Sequence, residues 1–275
     1  MFVTAFVLTY VYFGLEFSAS KFWSKRLLLI IIPYILWSLI YTWYRYPDVD
    51  LMTFWQKAEY GLRTGNASYQ LYYVFLTLQF YALFPLFLLI FKKIKHHMPL
   101  VLVISFIVQV VFMFLDFKYI INGSKESYPL WIQAYAQYQD RLIFTYQFFF
   151  VFGAVAALYI DRAKAFMVKY GKYFPYLFLL TWLGYVGYFF LQVRFGLSMQ
   201  KAAVVLQPSV TLYSIVAILT FLWLAMKWAE KRPYYRIVHA VAEVSFGIYL
   251  AHVLFLRLGY KYVLANIKDP SHPYL

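Results

Sequence analysis

Cysteine is absent from all 275 residues. That excludes a disulfide framework, a thiol nucleophile and any cysteine-held metal site. Charge is scarce as well: charged residues make up 13% of the chain, about half the share of a soluble domain. Acids are the scarcer sign, 11 against 25 Lys and Arg, which gives a formal net charge of +14. No Walker A loop and no dinucleotide fingerprint occurs, so nucleotide hydrolysis and hydride chemistry have no support. Sequence repeats, low-complexity segments and a soluble domain are also missing. The opening run, 1–17, lacks the basic n-region and small-residue cleavage site of a signal peptide. His96 and His97 are adjacent rather than four apart and have no carboxylate near them. They read as a solvated basic turn, and no metal is expected.

What fills the chain is apolar. Hydrophobic residues account for 64% of it and the mean hydropathy is +0.65, which marks a polytopic integral membrane protein. Tyr and Phe, 29 of each, suit the belts where rings sit at headgroup level. Runs near the ~20 residues a spanning helix needs fall at 1–17, 27–43, 71–91, 100–117, 142–160, 174–192, 206–228 and 237–256. The expected fold is therefore all-α, about eight transmembrane helices in one domain over 1–275. Pro33 is tolerated within its span, and Pro85 marks a kink. Gln79 and Gln147 carry amides to membrane depth. The stretches 45–70 and 118–141 read as polar or aromatic-polar loops.

Charge sets the orientation. Lys21, Lys25 and Arg26 follow the first span, and Lys92, Lys93 and Lys95 follow the third. Arg162, Lys164, Lys169 and Lys172 follow the fifth, and Lys227, Lys231, Arg232 and Arg236 the seventh. The loops after the second and fourth spans largely balance their bases with acids, while Arg194 and Lys201 after the sixth are the exception. Basic loops stay in the cytoplasm, which places residue 1 outside. The same rule accounts for the net charge without a nucleic-acid partner. Asn66-Ala67-Ser68 and Asn122-Gly123-Ser124 match the glycosylation pattern, which arises often by chance. Glu16, Glu243 and His239 read as hydrated boundary groups.

Within the last run, Ser245, Tyr249 and His252 are spaced to share one helix face. Such a stripe either lines a polar site or hydrogen-bonds to neighbouring helices.

Three stretches together resemble the membrane acyltransferase-3 family. They are Lys25-Arg26-Leu27 leading into Pro33-Tyr34-Ile35-Leu36-Trp37, then Leu71-Tyr72-Tyr73-Val74-Phe75 through Gln79-Phe80-Tyr81 to Pro85, and last Ser245 to His252. Their order and rough spacing match that family over essentially the whole chain, nearest to polysaccharide O-acyltransferases of the intercellular-adhesin type. The resemblance implies transfer of an acetyl or succinyl group from cytoplasmic acyl-CoA to a hydroxyl of an envelope polysaccharide or glycolipid. Acyl-CoA is then a co-substrate and no bound cofactor is expected. The partners implied are the bilayer and the glycan acceptor, in a bacterial plasma membrane. His252 and Tyr249 are the candidate catalytic residues, and Lys25, Arg26, Gln79 and Tyr81 the candidates for acyl-CoA or substrate. The family carries a further helix at each end, the first with an arginine and a catalytic histidine. The sequence is therefore expected to be incomplete at both ends. A glycan exporter and an inactive remnant are the alternative readings.

Overall fold

The computed structural model describes residues 1–123 and 128–264, apart from the side chains of Lys25, Leu27, Val263 and Leu264. Every regular element among the described residues is helical. In chain order these are α1 (Phe2–Tyr12), α2 (Ala19–Arg45), α3 (Leu51–Thr64), α4 (Leu71–Lys93), α5 (Met98–Leu115), α6 (Leu130–Tyr138) and α7 (Gln147–Leu158). Then come α8 (Ile160–Tyr170), α9 (Phe174–Arg194), α10 (Met199–Ala202), α11 (Pro208–Lys231) and α12 (Tyr235–Gly259). Six segments are long and apolar enough to cross a membrane, and a seventh span forms if the pair α6 and α7, bent by 52°, counts as one. The run at 1–17 is helical over only 11 residues, in α1. Each of the eight predicted runs thus contains a helix, and the chain is an all-α, multi-pass membrane protein.

Two stretches read as loops carry helices. Residues 45–70 contain α3, started by Asp50, whose carboxylate accepts from the Thr53 N–H (3.0 Å) and hydroxyl (2.6 Å). The hydrogen bonds from the Thr53 hydroxyl and then its N–H hold the Asp50 carboxyl below its usual range. Residues 118–141 contain α6, and a π-helical turn, Asp116–Ile121, precedes it. Both helices mix polar and apolar residues, so neither produced an apolar run.

Contacts divide the chain into two compact units, Met1–Phe22 with Gln79–Arg232, and Trp23–Leu78 with Pro233–Leu275. In the first, α1 crosses α7 at Gly153, where an added Cβ would lie 2.3 Å from the Phe2 carbonyl oxygen. Only a residue without a side chain allows that approach. Phe80 of α4 stacks on Phe150 of α7 with ring centroids 4.2 Å apart, beside the buried Leu8, Phe84 and Leu88. The second unit packs Tyr34 and Tyr41 of α2, Leu71 and Val74 of α4, and Leu250 and Val253 of α12. Tyr34 also ties α3 in place, donating its hydroxyl hydrogen to the Leu62 carbonyl at 2.7 Å.

Candidate active site

The polar centre of the second unit forms where α12 meets α2 and the start of α4. Tyr41 on α2 is completely buried, and its hydroxyl donates to the Leu250 carbonyl at 2.6 Å. The same oxygen accepts from the Leu254 N–H at 3.2 Å. An α-helix pairs Leu250 C=O with Leu254 N–H directly, so the Tyr41 hydroxyl sits at a rung of the α12 ladder. Gln70 adds a second donor to the Leu250 carbonyl, at 3.3 Å. Tyr249 returns the contact, its hydroxyl donating to the Gln70 carbonyl at 2.5 Å. Arg257 lies over the Tyr41 ring, 5.9 Å from its centroid.

His252 stands on this frame. Its Nδ1 lies 2.6 Å from the Tyr249 carbonyl oxygen. A carbonyl only accepts, so that contact requires the proton on Nδ1. The Nε2 lone pair is then free to accept a proton. The ring is held edge-on to Tyr69 and tilted against Tyr249, with centroids 6.4 and 5.7 Å apart. Gln70 Oε1, buried with its residue, has no hydrogen-bond partner among the described residues. The cluster therefore holds one imidazole nitrogen and one buried amide oxygen that no protein group among the described residues engages.

The other candidates are placed elsewhere. Ser245, expected on the same stripe, is exposed, and its hydroxyl donates back to the Ala242 carbonyl of its own helix at 2.7 Å. The half of α12 that carries it is exposed throughout, so four- and seven-residue spacing did not bring it to the cluster. Arg26 is half-buried on α2 in the second unit, while the Lys25 side chain lies outside the described residues. Gln79 and Tyr81 belong to the first unit. Tyr81 packs its ring against Phe22, with centroids 5.8 Å apart.

Gln79 bridges the bend between α6 and α7. Its amide nitrogen donates to the Arg141 carbonyl at 2.6 Å, and its oxygen accepts from the Ile143 N–H at 3.3 Å. Gln109 does the same one step further on, donating to Thr145 O (2.8 Å) and accepting from Phe148 N (3.4 Å). Gln147 donates to the Ser105 carbonyl at 2.8 Å and accepts from the Ser105 hydroxyl. Buried Asp116 accepts from the Tyr135 hydroxyl at 2.9 Å and, with the Gln139 amide turned nitrogen-first, from that group at 2.6 Å. Irregular backbone survives at membrane depth only where side chains satisfy the groups it frees. These amides do so.

Sequence reading missed Tyr41, Gln70, Gln109 and Asp116. Tyr34, Ser38 and Tyr41 recur at helical spacing on α2, a signal that could have been read. Asp116 is the one acid in the run 100–117. Gln70, in a stretch read as loop, gave no signal.

An acyltransferase domain of the acyltransferase-3 type matches residues 1–274 as a family model. The chain belongs to the acyltransferase-3 family. It is accordingly a membrane acyltransferase, and the three sequence stretches that suggested the family all lie within the matched region. No curated protein and no solved structure gave a match.

Proposed function

We propose that the protein moves an acetyl- or succinyl-type group from cytoplasmic acyl-CoA to a hydroxyl of an envelope polysaccharide or glycolipid in the bacterial plasma membrane. The observation that carries this reading is the His252 contact with the Tyr249 carbonyl, which leaves Nε2 as an acceptor. In the proposed step Nε2 takes the proton of the sugar hydroxyl as its oxygen attacks the thioester carbonyl. The C–O bond forms, the C–S bond breaks, and the leaving thiolate receives that proton as coenzyme A thiol. No metal is needed for this balance.

Tyr249 acts as a positioning residue in this scheme, since its hydroxyl is engaged by Gln70 and its carbonyl fixes the imidazole. Lys25 and Arg26, at the start of α2 on the side predicted to be cytoplasmic, are assigned to the phosphates of coenzyme A. Gln79 holds the bend of α6 and α7, and Tyr81 supports α4 beside it.

The test is transfer by the purified protein in proteoliposomes, supplied with labelled acetyl- or succinyl-CoA and an envelope glycan. Label arriving on the glycan as an alkali-labile ester is the expected result. Glycan crossing the bilayer with no acyl donor present, and no ester formed, would replace the enzyme reading with the transport one.

A further inference from the structure

The second unit contains a small polar cavity of about 110 Å³ that neither the acyl-transfer scheme nor the fold requires. Thr42, Arg45, Tyr46, Lys57, Tyr60 and Asn66 form its walls. Arg45 ends α2, opposite the end that carries Arg26. A helix of 27 residues rises ~40 Å, so the two ends reach opposite faces of a bilayer. By the positive-inside rule the Arg45 end is the outer one.

Two cations share one ring at this site. The Arg45 guanidinium lies 5.6 Å and the Lys57 ammonium 5.1 Å from the centroid of Tyr46. Neither forms an ion pair with a carboxylate among the described residues. Of the acids nearby in sequence, Glu59 pairs with Arg63 at 2.6 Å and Asp50 caps α3, while exposed Asp48 forms an ion pair with neither cation. Aromatic faces attract cations, but they leave the repulsion between two like charges uncancelled. An oxyanion cancels it and gives both cations charge-assisted partners.

The chain is shaped to bring a neutral polar side chain to the same place. Gly65 ends α3 in the left-handed conformation at φ 68°. The Asn66 N–H then turns back to the Gly61 carbonyl at 3.1 Å. Gly61 and Ala67 pack so closely that a Cβ on Gly61 would lie 3.0 Å from that of Ala67. Asn66 lines the cavity, while Ala67 and Ser68 of the same sequon-like triplet are buried.

A solute suits the cavity better than a lipid headgroup. The exposed apolar residues of α3, Leu51, Met52 and Trp55, lie within about 100° of one another at 100° per residue. Lys57, Tyr60 and Gly61 project from the opposite side of the helix by the same geometry. If the apolar trio meets lipid, the cavity faces water.

We propose that this cavity binds an oxyanion, a phosphate or carboxylate, carried by the envelope glycan that the enzyme acylates. The carrier's identity rests on the acyltransferase reading above, whereas the anion site itself does not. The test uses the purified protein in nanodiscs of zwitterionic lipid with no acyl donor. A glycerol-phosphate oligomer, a uronate oligosaccharide and a neutral oligosaccharide of equal length are titrated in turn. Both anionic fragments are expected to bind more tightly than the neutral one, with affinity falling as salt rises. In the Arg45→Gln/Lys57→Gln double variant, whose altered side chains are both exposed, anionic binding should weaken at least about tenfold and lose its salt dependence. An unchanged melting temperature of the variant rules out loss of fold as the cause. Equal binding by variant and wild type overturns the proposal, as does equal binding of the neutral fragment. Loss of binding in nanodiscs of anionic lipid at matched salt also overturns it and assigns the cavity to a lipid headgroup. Anion binding with no acyl transfer in proteoliposomes would leave this site standing and remove only the enzyme reading.

Discussion

Around the bend of α6 and α7, Gln79, Gln109 and Gln147 each use both ends of the amide, mostly on backbone that the bend has freed. In the cluster on α12, Tyr41 and Tyr249 likewise engage backbone, but His252 Nε2 and Gln70 Oε1 keep no partner among the described residues. Both regions put polar groups at membrane depth, where they are expensive. The first answers that cost internally. The second leaves two atoms without a protein partner among the described residues, and in the function proposed above that difference separates a scaffold from a site.

Breaking the second region should abolish turnover and spare the fold. His252→Gln removes the base but keeps a polar side chain of similar size, so acyl transfer should fall by ~10²–10⁴ with an unchanged melting temperature. Breaking the first region should do the reverse. Asp116→Ala takes an acceptor from Tyr135 and Gln139 at a buried position, and should lower unfolding free energy by about 2–3 kcal/mol. Turnover per folded molecule should stay near wild type. If the rate collapses in step with His252→Gln, Asp116 belongs to the chemistry and the contrast fails.

Tyr41→Phe probes the edge between the two behaviours. It removes one donor from Leu250 and one acceptor from Leu254. The expected loss is about 1 kcal/mol of stability, with faster amide exchange at Leu254 and a smaller drop in rate than at His252. The smallest effect is expected at Asp50, which serves neither region. Its carboxyl is held low by Thr53, so the cap is intact above the ordinary value of 3.8 and is lost only as pH falls below it. Exchange in the first turn of α3 should quicken in that acid range alone, and Asp50→Ala should show no such onset.

Legibility in the sequence follows the same physics. Long apolar runs are governed by transfer free energy, which is additive along the chain, and each of the eight contains a helix. α3 and α6 escaped because their residues are mixed, and because capping by Asp50 and bending at Leu142 are local events that a hydropathy window averages away. His252 and Tyr249 stood out as polar residues in an apolar run, yet Ser245 stood out equally and is exposed. Spacing shows which residues share a face but not how far along the helix that face is covered. Tyr41 and Gln70 join His252 through contacts that cross some 180–210 residues of sequence, and no local pattern encodes those partners.

The most direct measurement is nitrogen-15 NMR of the histidine rings in the reconstituted protein, with His252→Gln to assign the signal. A pyrrole-type Nδ1 bonded to hydrogen, beside a pyridine-type Nε2, is the expected result for His252. The proton on Nε2 instead, with Nδ1 bare, would mean that the Tyr249 carbonyl does not orient the ring, and His252 could not serve as the base in the way described.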